Sequence, residues 1–254
     1  MDTLFREKEK LYEGKAKVVF PGENPGEVYM VFKDSATAFN GAKKGAIEGK
    51  GRLNAAISDI LFRLLEERGV KTHYLAKVDD TTLLVKRLRI LPVEVVMRNI
   101  VAGSLAKRTG KPEGTPLRRP ILELYLKSDE LGDPMLNDEH VLAFGIVAEE
   151  ELSEVKGAAR KVNCILRAFF RERGLELVDL KLEFGRVVSL GADGKEELGP
   201  VVLGDEISPD TCRFWDMKTQ EKLDKDRFRR DLGGVREAYA EVLRRIMENE
   251  EAHT

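Results

Sequence analysis

One strand with alternating charged and apolar side chains constrains the fold of this chain more than any other feature. The strand covers residues 178–185, and a second charged segment at residues 203–210 follows a turn signal at residues 192–195. Side chains alternate between the two faces of a strand, so Asp179, Lys181 and Glu183 are predicted to share one face. The other face is predicted to carry the apolar residues Val178, Leu180, Leu182 and Phe184.

The turn between these two segments predicts a hairpin that brings two carboxylates together. A hairpin centred near Gly194 places Glu183 roughly opposite Asp205, to within one residue of register. Opposed like charges destabilise a strand pair unless another charge offsets them, and a divalent cation with oxygen ligands is the usual offset. We therefore predict that Glu183 and Asp205 hold Mg²⁺. The alternative is an ordinary hairpin with acidic residues on a solvated face.

The composition excludes several classes of protein. The chain has 43 basic and 45 acidic residues and a formal charge of −2, so its overall charge does not attract nucleic acid. Cys164 and Cys212 have neither the spacing of metal ligands nor that of a redox pair. The sequence contains neither an apolar run of membrane-spanning length nor a signal-peptide pattern. These features predict a reduced, soluble, cytoplasmic protein that binds neither nucleic acid nor membranes.

Hydrophobic periodicity predicts an α+β fold of two lobes, with antiparallel sheets and flanking helices. Strand patterns at residues 17–20 and 28–32 precede a helical pattern that closes at Gly69. The strands do not alternate strictly with helices, as a doubly wound sheet requires. The Leu91-Pro92 step interrupts a later strand pattern, and we place the lobe boundary there. The predicted lobes are residues 1–92 and residues 93–254.

Several longer runs of sequence occur together along the chain. They are Leu11-Tyr12-Glu13-Gly14-Lys15-Ala16-Lys17, Ala36-Thr37-Ala38-Phe39-Asn40-Gly41, Val93-Glu94-Val95-Val96-Met97-Arg98-Asn99-Ile100-Val101-Ala102-Gly103-Ser104, Lys181-Leu182-Glu183-Phe184-Gly185, Leu203-Gly204-Asp205-Glu206-Ile207-Ser208-Pro209-Asp210 and Asp224-Lys225-Asp226-Arg227-Phe228-Arg229. In this order, and over nearly the whole chain, the runs resemble those of the SAICAR synthetases (phosphoribosylaminoimidazole-succinocarboxamide synthases) of purine biosynthesis. The resemblance implies a SAICAR synthase-like fold with a protein-kinase-like or ATP-grasp-like nucleotide cleft.

The resemblance also implies an ATP-dependent ligase. The implied reaction joins the carboxylate of carboxyaminoimidazole ribonucleotide to the amine of L-aspartate and gives SAICAR, ADP and phosphate. In it, the γ-phosphoryl group of ATP passes to the carboxylate, and the amine then attacks the acyl phosphate. Phosphoryl transfer needs positioning and charge neutralisation more than covalent help from the protein. The predicted site supplies both through Lys17, Lys181, Glu183, Asp205 and Mg²⁺.

A glycine turn with two lysines provides the candidate ATP site. Gly14, Lys15 and Lys17 lie together before a strand, and backbone N–H groups beside ammonium groups suit phosphate oxygens. The turn is not a Walker-type loop. Pattern alone leaves open a solvated basic turn, whereas the resemblance assigns Lys17 to the ATP phosphates.

A second phosphate site is predicted around Arg98 and Ser104. A Gly-Ser pair at a helix start offers unpaired N–H groups and a hydroxyl, and a preceding arginine adds a bidentate contact. The alternative is plain N-capping by Ser104 with a solvated Arg98. The resemblance makes both residues contacts to the 5′-phosphate of the ribonucleotide and adds Arg213 to them.

Two further residues are assigned catalytic roles beside Lys181. Asp179 shares its strand face and is predicted to orient the ribose or the incoming amine. Arg229 follows Lys225 at helical spacing, and we expect it to bind a carboxylate of aspartate or the transferred phosphoryl group. The alternative for Lys225 is a solvated helix face with local ion pairs.

The segment before the first helix is predicted to form a mobile lid. Its glycines and lysines are Gly41, Gly45, Gly49, Gly51, Lys43, Lys44 and Lys50. Ser35 stands where the family commonly has an acidic residue, so the role of that position is left open. The acidic turn at residues 133–140 is left unassigned.

Two other functions are compatible with the same residues. A small-molecule kinase would stop at phosphoryl transfer, and a non-catalytic nucleotide sensor would bind ATP and ribonucleotide without turnover. The second phosphate site favours an enzyme over a pure ATP sensor. A homodimer is a further expectation.

Overall fold

The computed structural model describes residues 9–38, 43–191 and 193–248, which form antiparallel sheets with helices packed on them. In the first part of the chain the elements are β1 (Tyr12–Glu13), β2 (Lys17–Pro21), β3 (Glu27–Phe32), β4 (Ser35–Ala38), β5 (Lys43–Ala46), α1 (Lys50–Glu67), β6 (Tyr74–Lys77) and β7 (Thr82–Lys86). One sheet has the order β1-β2-β3-β7-β6, and β4 pairs with β5 in a separate hairpin. All these pairs are antiparallel.

A larger sheet forms the second part of the structure. The elements there are β8 (Leu88–Ile100), α2 (Gly103–Thr109), β9 (Pro116–Leu126), β10 (Met135–Leu136), α3 (Asp138–Ala143), α4 (Glu149–Glu172), β11 (Leu175–Leu190), β12 (Glu196–Gly204), β13 (Cys212–Asp216), α5 (Asp226–Arg229) and α6 (Val235–Met247). The sheet has the order β10-β9-β8-β11-β12, and β13 also pairs with β11. The predicted α+β class with antiparallel pairing is therefore confirmed.

Helix α1 packs against both the first sheet and the C-terminal helix α6. Its apolar residues recur at helical spacing, and Ile57, Leu61 and Leu65 are completely buried. The helix closes where Gly69 adopts a positive φ of 70°, at the position that the sequence predicted. Since α6 returns to α1, the C-terminal helix is tied to the first sheet.

The central strand β11 shows the predicted alternation with one exception. Leu180, Leu182 and Phe184 pack in the main core. Val178 does not, because it is the extra residue of a β-bulge: its neighbours pair with successive residues of β13. Val178 packs instead with Ala102 in a separate small cluster, so the prediction for Val178 was wrong.

The predicted lobe boundary falls inside a strand. Strand β8 continues through Leu91 and Pro92, although its ladder with β11 is irregular there: the five residues from Ile90 to Glu94 oppose the three from Glu183 to Gly185. The chain passes from the first sheet to the second at Arg87. A division between residues 92 and 93 stays a prediction. Within the described residues, each helix is too short or too polar to cross a bilayer.

Candidate active site

A cavity of about 1260 Å³ lies between the two sheets. Its walls come from the β1–β2 turn, strands β3 and β7, the central strands β8 and β11, and the segments that follow β9 and β12. All eleven residues to which the sequence analysis assigned a catalytic, ligand-binding or metal-binding role line it: Gly14, Lys15, Lys17, Arg98, Ser104, Asp179, Lys181, Glu183, Asp205, Arg213 and Arg229. The structure thus brings the candidates together, while their individual roles stay predictions.

The β11–β12 hairpin sets the position of the two acidic candidates. Glu183 pairs with Gly204, so Asp205 lies one residue beyond the paired position, within the predicted uncertainty of register. Asp205 has a φ of 58°, in the left-handed region that favours glycine. Such backbone conformations are concentrated at functional sites, where the surrounding structure enforces them.

Lys17 is held between two acidic side chains. Its ammonium group donates to Asp205 and lies 3.0 Å from Glu206 Oε1. Burial opposes the charge on Lys17, but Asp205 and Glu206 outweigh this effect and raise the pKa of Lys17. Lys17 therefore stays cationic in the cavity. Desolvation acts to raise the pKa of Asp205, but Lys17 and Lys181 outweigh it and hold that pKa below its usual value.

Glu183 is bound by two lysines, Lys181 from its own strand and Lys127 from the segment that follows β9. Lys181 Nζ lies 2.6 Å from Glu183 Oε1, and Lys127 Nζ lies 2.9 Å from the same oxygen. Lys181 also donates to Glu94 at 2.7 Å. Burial opposes the charge on Lys181, but the surrounding carboxylates raise its pKa. Lys17, Lys127, Lys181 and the carboxylates around them therefore form a compact set of alternating charges, which can rearrange around a polyphosphate.

The donor set around Glu183 and Asp205 fits a metal carried by a nucleotide. Both residues offer carboxylate oxygens, and Mg²⁺ typically takes one or two carboxylates while substrate phosphates and water complete its octahedron. In the described parts of the chain, a group of three or more His, Cys, Asp or Glu residues in metal-binding geometry is absent. These residues therefore suit a metal that is carried by the nucleotide better than a metal that is bound by protein ligands alone.

Arg98 is the centre of the second charged cluster. It is 4% exposed and donates to Asp179 at 2.9 Å, to Glu123 at 3.0 Å and to Ser104 Oγ at 2.9 Å. Helix α2 begins after Ala102, without a side-chain cap. The alternative of an N-capping Ser104 beside a solvated Arg98 is therefore wrong, because the hydroxyl accepts from the arginine.

Arg213 joins this cluster from the neighbouring strand. Its guanidinium lies 2.8 Å from Asp179 Oδ2 and donates through Nε to Asp226 at 3.0 Å. A Cβ on Gly103 would lie 2.6 Å from the guanidinium, and Gly103 has a φ of 52°. Glycine at this position thus lets Arg213 reach the start of α2, and the two arginine groups meet at Asp179.

The predicted ATP-binding turn presents its two lysines differently. Lys17 begins β2 and points into the charged centre, whereas Lys15 precedes the strand and donates to Asp129 at 2.5 Å. The Lys15 side chain is 45% exposed, and exposed pairs of this kind contribute little to stability. Lys15 is therefore free to exchange its partner, and Lys17 is fixed.

Two cations lie at the far wall of the cavity: Lys225 precedes α5 as its N-cap residue, and Arg229 ends the helix. Arg229 donates to Asp226 at 2.7 Å, and Lys225 Nζ lies 3.8 Å from Asp210. Both residues line the cavity. The Lys225 side chain is only 16% exposed, and its burial lowers its pKa, so the solvated-face alternative for Lys225 is wrong.

The segment predicted to be a glycine loop contains strand β5 and the start of α1, which includes Gly51, and its role as a mobile lid stays a prediction. Gly41 lies outside the described residues, and Lys44 lines the cavity. Lys50 is not part of a lid: it is 1% exposed, and its ammonium group donates to Asp210 at 2.5 Å. Ser35 Oγ donates to the carbonyl oxygen of Lys15 at 2.7 Å and supports the ATP-site turn.

Sequence reasoning missed a buried network behind the site. Asp210 accepts hydrogen bonds from Lys50, from Asn54 at 3.0 Å and from Tyr239 at 2.7 Å. Lys50 and Asn54 lie on α1, 160 and 156 residues from Asp210 in the chain. Tyr239 lies on α6, 29 residues from Asp210. The sequence holds no local signal for such pairing. Other cavity residues that it did not single out are Glu94, Lys127 and Glu206.

The chain matches a known family over most of its length. The family model for SAICAR synthetase covers residues 10–246. A phosphoribosylaminoimidazole-succinocarboxamide synthase of Chlorobium chlorochromatii is 55% identical over 95% of this chain and 98% of the relative. One from Clostridium acetobutylicum is 53% identical over 94% and 97%.

Solved structures agree with these sequence matches. The crystal structure of the Ehrlichia chaffeensis synthase has a TM-score of 0.87 at 47% identity, over 94% of this chain and 98% of that one. A SAICAR synthetase in complex with ADP has a TM-score of 0.85 at 49% identity, over 94% and 97%. The predicted family, fold and ligase class are thereby confirmed. The chain belongs to the SAICAR synthetase family.

Proposed function

We propose that this chain uses ATP to join carboxyaminoimidazole ribonucleotide to L-aspartate in the cavity between the two sheets. A free carboxylate is a poor acyl donor because oxide is a poor leaving group. Transfer of the γ-phosphoryl group to a carboxylate oxygen gives an acyl phosphate and ADP. The aspartate amine then attacks the acyl carbon, loses a proton, and expels phosphate to leave the amide of SAICAR.

One observation carries the proposal: a single cavity holds two separate clusters of paired charges, each with two cations that can bind a phosphate. Lys17 and Lys181 are the cations of one cluster, and Arg98 and Arg213 are those of the other. A ligase of this class must bind the polyphosphate of ATP and the phosphate of a ribonucleotide at once. The ADP-bound relative, 49% identical, supports a nucleotide in this fold.

For ATP, the backbone N–H groups of the Gly14 turn and the ammonium groups of Lys15 and Lys17 bind phosphate oxygens. The Lys17 side chain is 14% exposed and is paired with Asp205 and Glu206, so its charge lies at the site before the nucleotide binds. Lys15 is exposed and exchanges Asp129 for a phosphate. Lys181 lies beside the reacting carboxylate and neutralises the charge that develops during transfer.

Glu183 and Asp205 hold Mg²⁺ in this proposal. The chemistry that Mg²⁺ would supply there is neutralisation of the charge on the phosphates. With Glu183 and Asp205 as its ligands, the ammonium groups of Lys17 and Lys181 would be available to the phosphate oxygens, so the site would not gain an unpaired charge.

The ribonucleotide phosphate binds at Arg98, Ser104 and Arg213. Asp179 holds the two guanidinium groups at a fixed separation, which suits a phosphate better than two mobile side chains do. From the same strand face, Asp179 also orients the ribose or the incoming amine. Arg229, with Lys225 beside it, binds a carboxylate of aspartate at the far wall.

Release of ADP in the presence of the ribonucleotide, with and without aspartate, tests the proposal. A ligase releases ADP and forms SAICAR only when all three substrates are present. A small-molecule kinase releases ADP with the ribonucleotide alone, and a nucleotide sensor releases none. Either of these two results overturns the proposal.

We also propose that the chain forms a homodimer and that it is located in the cytoplasm. Sedimentation at several protein concentrations tests the dimer, and a mass of one chain at all concentrations rejects it. Fractionation of cells that express the chain tests the location.

A further inference from the structure

Glu206 is a buried carboxylate that the reaction scheme does not use. It is 3% exposed, follows Asp205 directly, and lines the same cavity. Its Oε1 lies 3.0 Å from Lys17 Nζ, and its Oε2 accepts a hydrogen bond from Ser208 Oγ at 2.5 Å. One oxygen is thus anchored to the protein, and the other faces the lysine.

Lys17 therefore has two acidic partners, Asp205 and Glu206, with different proposed roles. Asp205 is the proposed metal ligand and gives up its lysine contact when the metal binds. Glu206 has no such second duty, because Ser208 occupies its other oxygen. Without Glu206, the ammonium group would have only Asp205 as an acidic partner among its described contacts, and it would compete there with the metal.

We propose that Glu206 is a positioning residue that holds the ammonium group of Lys17 at the phosphate site when Asp205 binds metal. The inference rests on the proposed contact between Lys17 and the ATP phosphates. Lys17 lies on β2 of the first sheet, and Glu206 follows β12 of the second, so the pair also joins the two walls of the cavity. In protein kinases, too, the lysine that contacts the ATP phosphates is held by an ion pair with a glutamate.

A purely structural role for Glu206 makes a different prediction. If the pair only holds the two sheets together, its loss weakens all ligands alike and lowers stability. If Glu206 positions Lys17, its loss weakens ligands that carry phosphate groups and spares those that lack them. ADP and adenosine share the nucleoside and differ in the diphosphate, so together they separate the two roles.

The test is the affinity of Glu206→Gln for ADP and adenosine with Mg²⁺, measured by calorimetry. We expect ADP to bind about tenfold more weakly, as for one charge-assisted contact, and adenosine to bind as in the wild type. Glu67→Gln is the matched control, since Glu67 is exposed on α1 and lies outside the cavity lining. Unchanged ADP affinity, or an equal loss for both ligands, overturns the proposal.

A double-mutant cycle separates this proposal from the one on which it rests. If Lys17→Met weakens ADP, Glu206→Gln should add little in that background, because its effect passes through Lys17. If Lys17→Met leaves ADP affinity unchanged, the proposed phosphate role of Lys17 fails. If the two substitutions weaken ADP additively, Lys17 stands and Glu206 is not its positioning residue. Should Glu206→Gln fail to fold, Glu206→Asp keeps the charge, shortens the reach, and must show the same selective loss.

Discussion

Arg98 and Arg213 bind the same carboxylate from opposite sides of the central strand. Each donates to Asp179, at 2.9 Å and 2.8 Å, and each comes from a strand that pairs with β11. The carboxylate therefore fixes the separation of two guanidinium groups. Because a phosphate accepts from two such forks, the arrangement is preorganised for an anion that has not yet bound.

Removing Arg98 is expected to destabilise the fold as well as the site. Arg98→Ala leaves Asp179 and Glu123 in a buried environment with one cation fewer each. Breaking a buried ion pair by removing one partner typically costs about 3–5 kcal/mol. Urea unfolding of Arg98→Ala should show a loss of this order. A loss below about 1 kcal/mol, as for exposed pairs, would mean that the cluster is not buried in solution.

Arg213→Lys is the cleaner test of the ribonucleotide site. Lysine keeps the charge but loses the planar fork, so it can satisfy either Asp179 or a phosphate, but not both in two-point geometry. We expect the ribonucleotide to bind roughly ten- to a hundredfold more weakly and ADP to bind normally. Arg186→Lys, on β11 but outside the cavity lining, is the control. Equal weakening of both ligands would place Arg213 in a general structural role.

Asp205→Asn tests the metal site. The amide keeps the shape of the side chain and removes the charge that attracts Mg²⁺ and Lys17. The Mg²⁺ concentration for half-maximal turnover should rise about tenfold or more, which corresponds to at least about 1.4 kcal/mol of metal binding. Asp193→Asn, in the exposed turn of the same hairpin, should leave it unchanged. Near-normal turnover of Asp205→Asn at limiting Mg²⁺ would disprove the assignment.

The burial of His73 lets us predict how the stability of the fold depends on pH. It is 3% exposed, and burial lowers its pKa to about 3. In the unfolded chain its pKa is about 6.5, so between these values the unfolded chain binds a proton that the folded protein does not. Stability is therefore lost as the pH falls through this window, by about 2 kcal/mol at about pH 5.

The measurement compares the wild type with His73→Leu in urea at about pH 7 and about pH 5. Other groups titrate in both proteins, so the difference between their pH dependences isolates His73. The variant should lose less stability on acidification. Parallel curves would show that the imidazole of His73 is protonated in the folded protein as readily as in the unfolded chain.

Local signals account for what could be predicted from the sequence. The face shared by Asp179, Lys181 and Glu183, and the register that brings Asp205 close, follow from strand alternation and a turn. The bulge at Val178 depends on how many residues the partner strand offers, which one strand cannot reveal. Arg98 and Arg229 were singled out from their local sequence patterns, whereas Arg213 entered the site through the resemblance to the family alone.

The errors have a common physical cause, which is pairing across long stretches of chain. Lys50 was assigned to a lid because it lies among glycines, yet it is buried against Asp210, 160 residues away. Lys127 was overlooked for the same reason, since its partner Glu183 lies 56 residues further on. A buried charge is recognisable only from its partner, and the partner is supplied by the tertiary fold.

Arg229→Lys tests how the far wall of the cavity binds aspartate. Arg229 donates one hydrogen bond to Asp226, and its side chain is 31% exposed, so part of the fork faces the cavity. Lysine keeps the charge and loses two-point binding of a carboxylate, which should raise the KM for aspartate about tenfold or more and leave that for ATP unchanged. Arg244→Lys is the control, because Arg244 is paired with Glu241 on α6 and lies outside the cavity lining. The measurement is a titration of aspartate at saturating ATP and ribonucleotide, with a matching titration of ATP. Wild-type kinetics for Arg229→Lys would show that Arg229 is not part of the site. A raised KM for ATP alone would show that Arg229 binds the transferred phosphoryl group instead of aspartate.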